Sequence, residues 1–208
     1  MSILLIEYQY FGTVDYYKTL FQFSNIIFEE YESYQKGSFR NRTLIPGANG
    51  VMNLSVPLQK GRDQKALFRE IKIDYREKWI VQHMRALDAS YNRAPFYEYY
   101  RDGIREMLSQ EEMYLMSLDR KLVAWVLKML KAKPVISATN EFIHVVNQDT
   151  VDARNTILPS KNPDWDLPEY DQVFKDRIGF KPHMSILDLL FCNGPASAGL
   201  LKSSNSRF

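Results

Sequence analysis

The chain has 208 residues, of which 27 are Lys or Arg and 25 Asp or Glu, and 45% are hydrophobic. A single domain of this length buries roughly 70% of its unfolded surface and needs no disulfide or metal staple. The apolar share excludes a disordered protein, and the net charge of +2 gives no general attraction to nucleic acid or anionic membrane.

Residues 3–8 (ILLIEY) form a short apolar run that reads as a buried first strand. Gly12 turns the chain, and Thr13 is placed to cap a helix with Asp15 in its first turn. Ile26-Ile27-Phe28 reads as the second strand. Strand, helix and strand in that order predict a βαβ unit and a parallel sheet. Residues 35–50 read as loop, since they contain Gly37, Pro46, Gly47 and Gly50. Met52, Leu54 and Val56 alternate with polar residues as a half-exposed strand, and Ile71 and Ile73 mark another. From Arg76 to Leu130 the apolar period is helical, with Pro95 at the start of a second helix and Asp119 as the expected cap of a third. Val135-Ile136-Ser137 reads as a strand. Residues 140–172 form a long polar loop of the kind that carries function, and Ser185-x-x-Asp188 fits a capping box. The small, polar end beyond residue 195 is expected to be a flexible tail. The fold class is therefore α/β, a mainly parallel sheet with flanking helices and a helical middle section.

The only cysteine, Cys192, excludes an internal disulfide or a Cys-rich zinc site, and its surroundings read as those of a buried, inert thiol. This fits a reducing, cytoplasmic setting. The start of the chain lacks the basic segment and long apolar run of a secretory leader. Lys128 and Asp188 break the longest apolar stretches, so no integral membrane segment is expected. No metal or cofactor is expected, and P-loop, dinucleotide-binding and nucleophile-elbow motifs are absent.

The sharpest local feature is Lys36-Gly37-Ser38-Phe39-Arg40-Asn41-Arg42. Arginine presents a planar fork that matches phosphate or carboxylate. The loop therefore reads either as an anion site or as an ordinary basic loop, solvated or paired internally with Glu29, Glu30 or Glu32. His83, among Trp79, Met84 and Leu87, is either a general base or a hydrogen-bonded histidine at the edge of the core. Tyrosine is abundant, at 13 residues, with Tyr8, Tyr10, Tyr16, Tyr17 and Tyr34 close to this loop. Its apolar body and polar tip suit a pocket wall as well as a core.

These pieces resemble the WbqC-like protein family. The resemblance runs through Tyr10-Phe11, Ser38-Phe39-Arg40-Asn41-Arg42, Asn49-Gly50 and Leu54-Ser55-Val56-Pro57. It continues through Trp79-x-x-x-His83 and Ser185-Ile186-Leu187-Asp188-Leu189-Leu190-Phe191, and so makes residues 1–195 one domain and 196–208 a tail. Members occur in bacterial O-antigen and related polysaccharide gene clusters, and transfer of glycine or another acyl group onto a sugar is the suggested activity. The resemblance implies a transferase acting on a sugar or sugar nucleotide, with a small-molecule sugar nucleotide or acyl donor as partner and no nucleic acid. The alternative is a non-catalytic binding or assembly protein of the same pathway. In this reading His83 is the catalytic base, and Lys36, Ser38, Arg40, Asn41, Arg42 and Tyr10 bind the substrate or its anion. The chain departs from the family at its start. Many members open with Gln-Pro-x-Tyr-x-Pro-Trp-x-Gly-Tyr-Phe, whereas Glu7 to Tyr17 here lacks both prolines and the tryptophan.

Overall fold

The structure is a computed structural model that describes residues 2–61, 65–161, 167 and 169–203. Its centre is a four-stranded parallel sheet in the order β5-β2-β1-β6, formed by β1 (Ile3–Ile6), β2 (Asn25–Phe28), β5 (Val135–Ala138) and β6 (Thr150–Asp152). Ile3 pairs with Asn25 on one side and Thr150 on the other. A strand flanked on both sides and covered on both faces must be apolar throughout. Leu4, Leu5 and Ile6 are accordingly inaccessible to solvent. β2 alternates between half-buried and buried, and β5, at the sheet edge, is exposed along its whole length.

Helix α1 (Val14–Leu20) connects β1 to β2. Its cap is the expected one: the Thr13 hydroxyl accepts from the Tyr16 amide at 3.3 Å. The expected βαβ unit is present, and the fold is α/β with a helical middle section. That section holds α2 (Trp79–Tyr91), α3 (Tyr97–Ser109) and α4 (Leu115–Met129).

Several local expectations are corrected. Part of the stretch read as loop is a strand: β3 (Arg42–Gly47) pairs antiparallel with β4 (Gly50–Ser55), closed by a tight turn at Ala48-Asn49. Ile71 and Ile73 form only isolated bridges, after a short 3-10 turn at Phe68–Glu70. Helix α3 begins at Tyr97, two residues after Pro95. Asp119 does not cap the third helix, because α4 starts four residues earlier, where the Leu115 amide bonds to the Ile71 carbonyl at 2.9 Å.

Toward the end of the chain come the short α5 (Lys175–Ile178), α6 (Ile186–Asn193) and α7 (Ser197–Lys202). Ser185 caps α6 as expected, accepting from the Leu187 amide. Asp188 does not complete a capping box. Its carboxylate instead accepts from the hydroxyls of Tyr91 and Tyr170 and from Gln172 Nε2 at 2.7–2.9 Å. The region expected as a tail contains α7, packed on α1 and α6 with Leu201 buried.

Candidate functional site

The strand order fixes where a ligand would bind. From β1 the chain moves to β2 and then β5 on one side, and returns to β6 on the other side of β1. The connections therefore reverse direction between β1 and β6. In parallel α/β sheets the crevice beyond the carboxyl ends of strands at such a reversal is the usual binding place.

Charged and polar residues leave three of the four strands at that edge. Glu7 follows β1, Glu29 and Glu30 follow β2, and Asp152, Arg154 and Asn155 end or follow β6. Glu29 is fully buried. Its carboxylate accepts from the Tyr31 amide, Thr139 Oγ1, the Ile143 amide and Arg154 Nη1. Arg154 also donates to Asp152 through Nε and Nη2 at 2.9 and 2.6 Å. Glu7 accepts from the Asn155 amide at 3.0 Å and from Gln9 Nε2 at 2.9 Å.

The Lys36–Arg42 loop enters this network through Arg40. Its guanidinium is fully buried and grips Glu32 with Nε and Nη2 at 2.8 and 2.7 Å, the bidentate geometry that arginine favours. Nη2 also donates to Asn155 Oδ1 at 2.8 Å. Of the two readings of the basic loop, internal pairing with an acid holds for Arg40, and the partner is Glu32. One donor, Arg40 Nη1, is buried without a protein partner among the described residues.

A cavity of about 560 Å³ opens at this edge, with Tyr31, Glu32, Phe142, His144, Arg154 and Asn155 in its wall. Burial raises the Glu32 carboxyl to about 7, helped by Glu7 and Glu29 and opposed by the Arg40 guanidinium. An acid that titrates near neutrality inside a cleft is suited to proton transfer. Among the described residues the carboxylates of Glu7, Glu29, Glu32 and Asp152 gather here with the guanidinium groups of Arg40 and Arg154.

The other predicted residues lie in different settings. His83 is buried, with Nδ1 2.9 Å from the Tyr10 hydroxyl and Nε2 3.2 Å from the Ser55 carbonyl. A carbonyl can only accept, so Nε2 carries the proton and Nδ1 accepts from Tyr10. Burial lowers the imidazole to about 4, so it is neutral at pH 7. Both ring nitrogens are thus taken by internal partners. Asn41 donates to the Val56 carbonyl and accepts from the Tyr34 hydroxyl. Ser38 donates to the Gln35 carbonyl. Arg42 is half-buried, with an unpartnered Nε among the described residues, and Lys36 is exposed. The structure therefore brings Arg40 to the carboxyl edge and joins Tyr10 to His83. It uses Ser38 and Asn41 to hold the loop.

Of the two settings that suit the tyrosines near the loop, the structure gives the core. Tyr8, Tyr10, Tyr16, Tyr17 and Tyr34 are all buried, and Tyr31 is the tyrosine in the cavity wall. Glu32, Arg154 and Asn155 were not singled out as site residues from sequence. Asp152-x-Arg154 directly after the alternating Thr150-Val151 was the available signal, masked by the polar stretch around it.

Among the described residues no cluster of three or more His, Cys, Asp or Glu could hold a metal ion. No helix among them is long and apolar enough to cross a membrane.

A family model for the WbqC-like protein family matches residues 9–160. The chain is 25% identical to the uncharacterized protein Rv1507c of Mycobacterium tuberculosis, over 97% of each chain. No solved structure matches.

Proposed function

The chain belongs to the WbqC-like protein family, and from that premise and the geometry of the β1/β6 crevice we propose a transferase acting on a sugar or sugar nucleotide. The reaction is acyl or glycyl transfer in bacterial surface-polysaccharide biosynthesis. The observation that supports it most is the cavity at the reversal point with Glu32 in its wall.

Glu32 takes the proton from the attacking hydroxyl or amine as that atom bonds to the acyl carbon, and returns it to the donor's leaving group as the bond between that group and the acyl carbon breaks. A positioned base of this kind contributes about 10²- to 10⁴-fold in rate. Arg40 fixes the orientation of Glu32, since both of its bonds to the carboxylate come from one planar group. Glu32 is preferred to His83 as the base because it stands in the cavity wall, whereas His83 is held inside the fold between the Tyr10 hydroxyl and the Ser55 carbonyl. Arg154 and the side-chain amide of Asn155 meet the sugar hydroxyls, and Tyr31 and Phe142 offer apolar ring surface to the sugar faces. Lys36 and Arg42, on the loop that carries Arg40, supply positive charge for a donor phosphate or carboxylate. A cytoplasmic location is part of the same proposal.

The test is a thermal-shift screen of nucleotide sugars and acyl donors on the wild type and on Asn155→Ala. A ligand at 100 times its dissociation constant stabilises the chain by about 2.7 kcal/mol. The expected result is a hit whose shift shrinks in the variant. A hit that the variant leaves unchanged places the ligand elsewhere and overturns the site. Binding without turnover in any donor and acceptor pair favours the non-catalytic binding protein.

A further inference from the structure

The sheet has an edge that none of the described residues covers. β5 is exposed at all four of its residues, with Val135 at 66% and Ile136 at 45%. A sheet edge this open is normally blunted by a charge pointing inward, a bulge or a covering element. β5 is uncharged from Val135 to Ala138 and is followed by the exposed Phe142 and Val145.

The register shows which backbone groups are free. The Val135 amide bonds to the Ser24 carbonyl at 2.8 Å and the Thr139 amide to the Phe28 carbonyl at 3.0 Å. In a parallel ladder alternate residues serve one neighbour, so Val135, Ser137 and Thr139 face β2. Ile136 and Ala138 point their N–H and C=O groups outward, and these have no hydrogen bond among the described residues. Pro134 precedes them in the same outward phase, where its missing N–H ends the row.

We infer that β5 is the pairing edge for a second copy of this chain, joined antiparallel about a two-fold axis through Ser137. In that arrangement Ile136 of one protomer exchanges both backbone bonds with Ala138 of its partner, and the reverse exchange follows by symmetry. Every outward group of β5 is then satisfied. Ser137 faces its own symmetry mate as a non-hydrogen-bonded pair, and Val135 lies opposite Thr139. Just beyond the ends of the paired strands, the same arrangement brings Lys133 to the side of the partner protomer that carries Glu141. Both are exposed and neither has an ion pair within its own chain among the described residues. Basic residues before the strand and an acidic one after it complement themselves only in the antiparallel sense. This complementarity selects a second copy as the occupant. The two four-stranded sheets become one of eight strands, and the partner sits beside Phe142 and His144 at the cavity mouth.

Cysteine cross-linking tests the register. Cys192 is buried, so an introduced surface thiol reports alone. In a non-hydrogen-bonded antiparallel pair the Cα atoms are about 4.5 Å apart, within disulfide reach. Ser137→Cys is expected to yield a disulfide-linked dimer under mild oxidation at micromolar protein, while Ile136→Cys, whose mate lies two residues off register, stays largely monomeric. Light scattering on the wild type should give twice the 24.4 kDa of one chain. Lys133→Glu should weaken the dimer several-fold, and Lys133→Glu with Glu141→Lys should restore it. A wild type that stays monomeric at roughly 100 times the micromolar concentrations typical of weak dimers overturns the inference. So does equal cross-linking at positions 136 and 137. A dimer indifferent to both charge changes overturns this register.

Discussion

The buried imidazole of His83 makes stability depend on pH in a way that can be worked out in advance. Desolvation lowers it from 6.5 to about 4 in the folded chain, against a smaller opposing effect of the bond to the Ser55 carbonyl. Between those values the unfolded chain binds a proton at this site and the folded chain does not. Stability therefore falls as the pH drops from about 6.5 to about 4, and the loss is complete below that. At about 1.4 kcal/mol per pH unit the loss comes to about 3 kcal/mol. Glu32 and Asp188, raised by burial to about 7 and about 6, act in the opposite sense, since the folded chain holds their protons more tightly. The measurement must therefore isolate His83. In His83→Gln the amide can still donate to the Ser55 carbonyl and accept from the Tyr10 hydroxyl, but it does not titrate. Urea unfolding of both proteins at pH 7, 6, 5 and 4 gives their difference, from which the carboxyl contributions cancel. The variant should gain on the wild type by about 3 kcal/mol over that range. Parallel curves would show that His83 titrates equally in both states and would refute the buried, neutral histidine.

Four further outcomes are expected. Arg40→Ala leaves Glu32 buried and unpaired and should cost about 3–5 kcal/mol in urea unfolding, while Arg42→Ala, at a half-buried position, should cost much less. Asp119, fully buried with neither carboxylate oxygen partnered among the described residues, is held well above the usual carboxylate range by desolvation. Asp119→Asn should thus change stability at pH 7 by less than about 1 kcal/mol, within the ordinary range for a mild substitution. Once a substrate is identified, activity should rise with pH through about 7 as Glu32 ionises, and Glu32→Gln should remove that limb and lower the rate. Burial raises the Cys192 thiol to about 12, so it should resist a thiol reagent in the native protein and react fully in denaturant.

What could be read from the sequence was what local residues decide. The apolar run of β1, the Thr13 cap and the Ser185 cap each depend on neighbours a few positions away, and each is present. β3 was hidden because Pro46 and Gly47 read as loop, and only pairing with β4 makes them a strand. The start of α4 is set by the bond from Leu115 to Ile71, 44 positions apart, so a cap rule applied to Asp119 could not find it. The candidate site shows the same division. Arg40 stood out by residue type, but its role depends on Glu32 and on Asn155, which is 115 residues away. Glu29, Arg154 and Glu7 come together only because β2, β6 and β1 end at one edge.

The chain's departure from the family's usual opening gains a physical meaning here. The stretch from Glu7 to Tyr17 lies beneath the crevice and does not project into solvent. The Glu7 carboxylate holds the Asn155 amide, while its carbonyl accepts from the Tyr16 hydroxyl at 2.8 Å. The Tyr10 amide bonds to the Phe39 carbonyl at 2.9 Å, one residue before Arg40. Replacing prolines and tryptophan in such a stretch restores backbone N–H donors and changes what supports Arg40 and Asn155 from below. The residues that would touch a ligand are supported from below by Glu7 to Tyr17, the stretch without the usual opening's prolines and tryptophan. Substrate choice is therefore expected to differ from that of members with the usual opening. Grafting the usual opening over residues 7–17 should change which nucleotide sugar or acyl donor gives the largest thermal shift. An unchanged ligand ranking in a folded graft would assign selectivity to the cavity wall alone.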